Sequence, residues 1–363
     1  MTVPFKMESP IGARMVIGGR EVDYYCGTSY FCLHGHPEVI EAACAATRRY
    51  GMGPGTLAHM QVYADLQERL RQWFGTEEVV YMISGYTSPL VLLQGLREDF
   101  DVIFIDAATH YSTRDAIPTL GKPVHEFRHG DAGDLSEQLS RHVLPKQRPV
   151  VLTDGVFPSS GRLAPLSDFR QAMAPYEGAL LCIDDSHGVG VLGETGRGSL
   201  QHAGLEDAGN FLAGTMSKAF GALGGVVPGD AALAEKITRN AMIMRGASPA
   251  PPGLAAAAAA SLRVLQTTDK RANLARNVRH MRGGLRALGF EVADTPVPIV
   301  TIKGVTDLEQ LRDRLAERDI IVRVTQAGGY SDASDVPTMR LAVFSEHSPV
   351  QIDRLLSSIS ELL

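Results

Sequence analysis

Between residues 78 and 215 the chain repeats one pattern: a short apolar run, a turn, then a stretch of helical spacing. The runs are "VVYMISG", "DVIFID", "RPVVLTDGVF", "ALLCIDD" and "NFLAGT". Each is apolar at both alternations, which marks a strand covered on both faces. Helical stretches such as "GDLSEQLSRHVL" and "LSDFRQAMAPYEG" fall between them. Strands and helices in alternation predict a mostly parallel sheet wrapped by helices, an α/β domain of the doubly wound kind. Functional residues are then expected just beyond the carboxyl ends of the strands. Ahead of this region, "VYADLQERLRQWFG" spaces Leu66, Leu70 and Trp73 along one helical face and stops at Gly75.

The texture changes at "ASPAPPGLAAAAAASLRVL", where a proline cluster is followed by an alanine-rich helix. Beyond it come a basic helix ("RANLARNVRHMRGGLRAL"), a strand ("VPIVTIK"), a helix ("DLEQLRDRLAERD"), strands ("IIVRVT", "TMRLAVF") and a closing helix ("VQIDRLLSSISELL"). This reads as a small α+β domain. The expected division is an N-terminal segment over 1–40 packing with the small domain, a large domain over 41–250 and the small C-terminal domain over 251–363.

Composition serves mainly to exclude. A net charge of −6 without a long basic run argues against nucleic acid or an anionic membrane as partner. No stretch is long and apolar enough to span a bilayer, and "MTVPFKMESPIGARM" lacks a signal peptide's apolar core. Cys26, Cys32, Cys44 and Cys182 form no CxxC pair. Reduced thiols in a cytoplasmic protein are expected, and no metal site.

Four short stretches carry the chemistry. In "NFLAGTMSKAFGALGG", Lys218 sits between small hydroxyl residues and Gly221, Gly224 and Gly225, which leave room for a ligand near the backbone. It is either a solvated loop lysine or an amine held to react with a carbonyl. In "ALLCIDDSHGVG" a buried strand ends in Asp184 and Asp185, with His187 following. A turn aspartate accounts for Asp185. Asp184 and His187 have three readings: structural polar residues, metal ligands lacking a third partner, or the pairing of Asp184 with a protonated pyridine nitrogen. "VVYMISGYTSPL" runs from a strand through Ser84, Gly85 and Tyr86 into a helix start, which suits a phosphate but equally an N-cap. In "DAATHYSTRD", His110 is either a loop histidine or one that stacks on a planar ring.

Taken in order, these stretches resemble the fold-type I enzymes dependent on pyridoxal 5′-phosphate, and among them the α-oxoamine synthase family. The resemblance runs from "HGHPEVIEAACAATRRYGMGPG" through "TDGVFPSSGRLAPLSDF", "IDDSHGVGVLGETGRG" and "GTMSKAFGALGG" to "TMRLAVFSEHS". It implies a large domain with a mostly parallel sheet, a small α+β domain and pyridoxal 5′-phosphate as cofactor. It further implies Lys218 as the Schiff-base lysine and carrier of the substrate's α-proton, and Asp184 as partner of the ring nitrogen. His187 would bond the ring oxygen or the substrate, and His110 would stack on the ring. Ser84, Gly85, Tyr86 and Thr215 would hold the phosphate, with Ser248 reaching it from a second subunit of a homodimer. Arg340 would bind the amino acid's carboxylate, and Thr28 is the other residue expected to meet the substrate.

The reaction so implied is decarboxylative condensation of a small amino acid with an acyl thioester on coenzyme A or a carrier protein. The chain departs from the family pattern at several points. "GTSYFCL" puts Thr28 where an asparagine is usual, "GMGPGTLAHMQVY" lacks a glycine pair and arginine, Pro158 replaces a serine and Ser186 an alanine. Those at Thr28, at the missing glycine pair and arginine and at Pro158 support the alternative of an aminotransferase or of other α-carbon chemistry, a lyase or racemase. A catalytically silent partner subunit is argued against by retention of Lys218, Asp184, His187 and His110.

Overall fold

The computed structural model describes residues 6–54, 59–328, 331 and 334–363. Its centre is a seven-stranded sheet. In spatial order the strands are Glu78–Met82, Gly225–Gly229, Asn210–Thr215, Leu180–Asp184, Pro149–Asp154, Val102–Asp106 and Val124–Phe127. The last five run parallel, while Gly225–Gly229 is antiparallel to both its neighbours. Every residue of Val102–Asp106, Pro149–Asp154 and Leu180–Asp184 is buried, as expected for strands sandwiched between helix layers. The five predicted apolar runs are all strands. The two unforeseen strands are the half-exposed Val124–Phe127 at one edge and Gly225–Gly229, whose two glycines and proline mute the strand signal.

Helix Gln61–Phe74 forms as its spacing predicts, and Gly75 ends it at φ 65° in the left-handed region. Its Trp73 packs edge-on against Phe220, with ring centroids 5.3 Å apart, and donates its indole N–H to the Gly196 carbonyl at 3.1 Å. The helix is thereby joined to the lysine-bearing loop. The alanine-rich helix Pro252–Thr267 packs against Pro37–Tyr50 and Gln61–Phe74. The approach is so close at Gly253 that a Cβ there would clash with Thr47. Alanine therefore serves close helix packing here as well as propensity.

In the C-terminal part, Thr338–Ala342 is the middle strand between Ile299–Ile302 and Arg323–Thr325, all antiparallel. The run "IIVRVT" reads as one strand but divides at Val322. Ile320–Ile321 instead pairs in parallel with Arg20–Tyr24, which forms a hairpin with Arg14–Ile17. A buried carboxylate secures that junction. Asp23, 2% exposed, accepts from Gln351 Nε2 and from Arg354 Nη1, both at 2.7 Å, and both donors lie on the closing helix Pro349–Leu362.

Removing the Asp23 carboxylate leaves Gln351 and Arg354 without their shared acceptor. Asp23→Ala is expected to lower stability by about 1.5–3 kcal/mol, the range for hydrogen bonds to a charged group. The urea midpoint should fall at unchanged slope.

Candidate active site

Parallel strands that share register also align their last residues. Asp154 and Asp184 end adjacent strands as direct register partners, and Ala213, two residues before Thr215, lies opposite Asp184 on the next. Past these ends lies a cavity of about 280 Å³ lined by Ser84, Gly85, Tyr86, His110, Asp184, His187, Thr215 and Lys218, with Asp154, Ser112, Pro158 and Ser186 among its other walls. The residues singled out at four distant places in the sequence are therefore neighbours.

Each acid is held differently. Asp184 Oδ2 accepts from the Ser112 hydroxyl at 2.7 Å and Oδ1 from the Ser186 amide at 3.1 Å. Asp185 is turned away from the cavity and accepts from the Ser199 amide at 2.7 Å and from the Ser199 hydroxyl, so it is a structural acid. Burial pushes its carboxyl up to about 7. Asp154 accepts from the His110 amide at 3.1 Å. Burial first, then the charge of Asp184, raises its carboxyl well above the usual range, against a lowering pull from Lys218.

Lys218 is reached from the other side. Its Nζ lies 2.8 Å from His187 Nε2, and His187 Nδ1 lies 2.7 Å from the hydroxyl of the fully buried Tyr30. Burial, then the cationic neighbours Lys218 and Arg340, depress His187 far below its ordinary value, so its ring is neutral. Burial likewise brings the Lys218 amine down to about 8, although Asp184 and Asp154 pull it upward. The loop carrying it is tied by Thr215 Oγ1, 2.8 Å from Ser217 Oγ, and by the Met216 amide bonding the Gly224 carbonyl at 2.8 Å. At Gly221, φ 59°, a Cβ would collide with the backbone of Leu33 and His34, so that position requires glycine.

The turn after Glu78–Met82 is capped by Ser84, whose side chain accepts from the Tyr86 amide at 3.2 Å, and leads into helix Ser88–Gly95. Gly85 is pressed against Thr215, where any side chain would clash, and this brings the hydroxyl-rich turn beside the lysine loop. His110 caps helix Tyr111–Ala116, with Nδ1 2.7 Å from Ser112 Oγ. Arg340 is 6% exposed and donates to the Pro158 carbonyl at 2.9 Å and the Gly27 carbonyl at 3.4 Å, one residue from Thr28. Arg340 and Thr28 flank the cavity without lining it. Ser248 lies outside the cavity lining of its own chain. Residues 55–58 of the "GMGPGTLAHMQVY" segment fall outside the described residues.

Sequence reasoning missed Tyr30, Ser112 and Asp154. For Asp154 a signal existed, since "VVLTD" ends a buried apolar run in an acid much as "LLCID" does. Tyr30 and Ser112 carried none, because what they touch is far away in the chain. Among the described residues no group of three His, Cys, Asp or Glu side chains is placed to hold a metal ion, and the four cysteines are free.

The donor set suits a phosphorylated pyridine aldehyde. A reactive amine, an acid at the strand end, a histidine wall and a hydroxyl-lined turn surround one small cavity. The chain matches the aminotransferase class I and II family over residues 29–359 and belongs to it. It is 33% identical to the 8-amino-7-oxononanoate synthase of Nitrosococcus oceani, over 98% of this chain and 96% of that one. It is likewise 33% identical to the synthase of Thioalkalivibrio sulfidiphilus, over 95% and 89%. The fold superposes on a serine palmitoyltransferase of S. paucimobilis solved with a bound PLP–myriocin aldimine, with TM-score 0.88 and 26% identity over 99% of this chain and 92% of that one. The chain is accordingly a pyridoxal phosphate-dependent enzyme of the α-oxoamine synthase branch.

Because burial sets the Lys218 amine near 8, its acetylation by acetic anhydride in the apoprotein should be half-maximal at about pH 8. A free lysine reacts with a midpoint near 10.4. Asp184→Asn should move the midpoint lower still, since that charge holds the proton on. The folded protein binds this proton less tightly than the unfolded chain. Lys218 therefore adds stability as pH rises from about 8 to 10.5.

Proposed function

We propose that the enzyme joins a small amino acid to an acyl group carried on a thioester, releasing carbon dioxide and leaving an α-amino ketone. The observation that carries this reading is the likeness, over nearly the whole of both chains, to relatives named 8-amino-7-oxononanoate synthase, combined with a cavity that keeps the lysine, acid and histidine together. Bound here, pyridoxal phosphate supplies an electron sink for negative charge developing at the amino acid's α-carbon.

The chain's own residues supply the rest. Lys218 would tether the cofactor, and as a free amine, which burial brings down to about 8, it would take the α-proton. Asp184, fixed by Ser112 and Ser186, would face the ring nitrogen and hold a proton there. His187 stays neutral and presents Nε2 toward the reacting amine, while Tyr30 holds its other nitrogen. The Ser84–Tyr86 turn and Thr215 receive the phosphate. His110, in the cavity lining, would wall the ring, and Arg340 would pair with the substrate carboxylate beside Thr28.

Overall, a C–C bond forms between the α-carbon and the thioester carbonyl, and the C–S bond breaks with departure of the thiol. The carboxyl carbon leaves as carbon dioxide. Ile83, Tyr86 and Leu223 stand exposed at or beside the cavity. We assign their cover to a second copy of the chain, which would also bring Ser248 to the phosphate. The described residues contain no helix long and apolar enough to cross a membrane, and we place the enzyme in the cytoplasm.

The reaction is tested with amino acids labelled at the carboxyl carbon. Labelled carbon dioxide should appear only when acyl thioester is present, and Lys218→Ala should lower turnover by on the order of a thousandfold. Conversion of the cofactor to its pyridoxamine form without carbon dioxide release would show transamination instead. Arg340→Lys, which loses the planar two-pronged donor, should raise KM for the amino acid about tenfold and change kcat less.

A further inference from the structure

The segment Gly27–His34 touches the site at three separate points. The Gly27 carbonyl accepts from Arg340, the Tyr30 hydroxyl meets His187 Nδ1, and His34 Nε2 lies 3.1 Å from the carbonyl of Ser217. That carbonyl belongs to the peptide bond leading into Lys218. A carbonyl only accepts, so His34 carries its proton on Nε2 and donates it there. Its Nδ1 is then the acceptor for the Ser29 hydroxyl at 2.6 Å, and Ser29 is fully buried. Both ring nitrogens are thus engaged, and Ser29 fixes the ring's orientation.

The segment itself is held firmly. The Tyr30 carbonyl accepts from the Ser345 amide at 2.8 Å, and the Tyr25 carbonyl from the Ala342 amide at 2.7 Å. Cys32 takes φ 55°, a left-handed backbone unfavourable for any residue with a side chain, and this turn carries the chain round to His34. Three residues beyond Lys218, Gly221 lies against the backbone of Leu33 and His34 without room for a Cβ. The lysine loop therefore rests on this segment by contact at one end and by the His34 hydrogen bond at the other.

We propose that His34 is a positioning residue for the reactive amine: through the Ser217 carbonyl it fixes the peptide plane from which Lys218 projects toward His187. This rests on Lys218 being the reactive amine, as read above. His34 is not among the residues that line the cavity and acts only through the loop. Deleting its hydrogen bond lets the Ser217–Lys218 peptide tilt, and the amine then spends less time at the distance its proton transfer needs.

The test compares wild type, His34→Ala and His34→Gln. A glutamine amide can donate to a carbonyl with one end and accept from Ser29 with the other. Amide hydrogen exchange of the apoprotein, read by mass spectrometry on peptides covering 213–225, needs no turnover. In His34→Ala, exchange across 216–222 should speed up about tenfold while the strands of the large sheet stay unchanged. For the loaded enzyme kcat should fall about tenfold, with KM for the amino acid changed less than twofold. His34→Gln should recover most of both losses. Unchanged exchange in 216–222, acceleration spread evenly over the sheet, or failure of glutamine to recover either quantity would overturn the proposal. A wild-type protein that takes up no pyridoxal phosphate would instead overturn the functional reading, and the exchange comparison would still stand.

Discussion

Two carboxylates buried side by side, Asp154 and Asp184, set the terms for everything around them. Water does not reach them freely, and like charges this close cannot both remain ionised without compensation. The protein resolves the conflict by treating them unequally. Asp184 receives a hydroxyl and an amide, whereas Asp154 receives one amide and is pushed toward its protonated form. Lys218 stands nearby as the cation both would attract. Its amine is drawn upward by two acids and downward by burial, and the downward pull wins by enough to leave it near 8. A lysine in water, with its midpoint near 10.4, would be almost wholly protonated at that pH, and one buried without the acids would bind its proton more weakly still.

The neutral histidine follows from the same balance. With Lys218 and Arg340 on its cationic side, a charged His187 would be the third positive group in one buried space. Held neutral, it has one nitrogen for the amine and one for Tyr30. Tyr30, itself fully buried, keeps its phenol proton because burial raises its ionisation to about 12.

The sheet was legible in the sequence because buried parallel strands leave unbroken apolar runs. Lys218, Asp184, His187, His110 and the Ser84–Tyr86 turn were legible because each closes such a run, or stands just beyond one, where an open α/β sheet places its ligands. Gly225–Gly229 escaped because "GVVPG" has more turn residues than strand formers. The division of "IIVRVT" escaped because periodicity records burial and not which partner strand supplies it. Tyr30, Ser112 and His34 escaped for a different reason. Each acts on a group that lies between 72 and 183 residues away in the chain, and no local pattern encodes such a contact.

Those long separations have a consequence for how the enzyme is made. The segment around Tyr30 is made well ahead of its partners: His187 lies 157 residues after Tyr30, Ser217 lies 183 residues after His34, and Arg340 lies 313 residues after Gly27. Its carbonyls also pair with amides at 342 and 345. As the chain is made, the segment gains His187 and Ser217 as partners well before Arg340 and these two amides, while the intervening strands can already pair with one another. The sheet can thus form during synthesis, but the segment is held at all its contacts only once residues 340–345 have been made. A chain interrupted before residue 340 would hold Lys218, both acids and the Tyr30 and His34 contacts, and still lack the arginine and the amides that hold the segment in place.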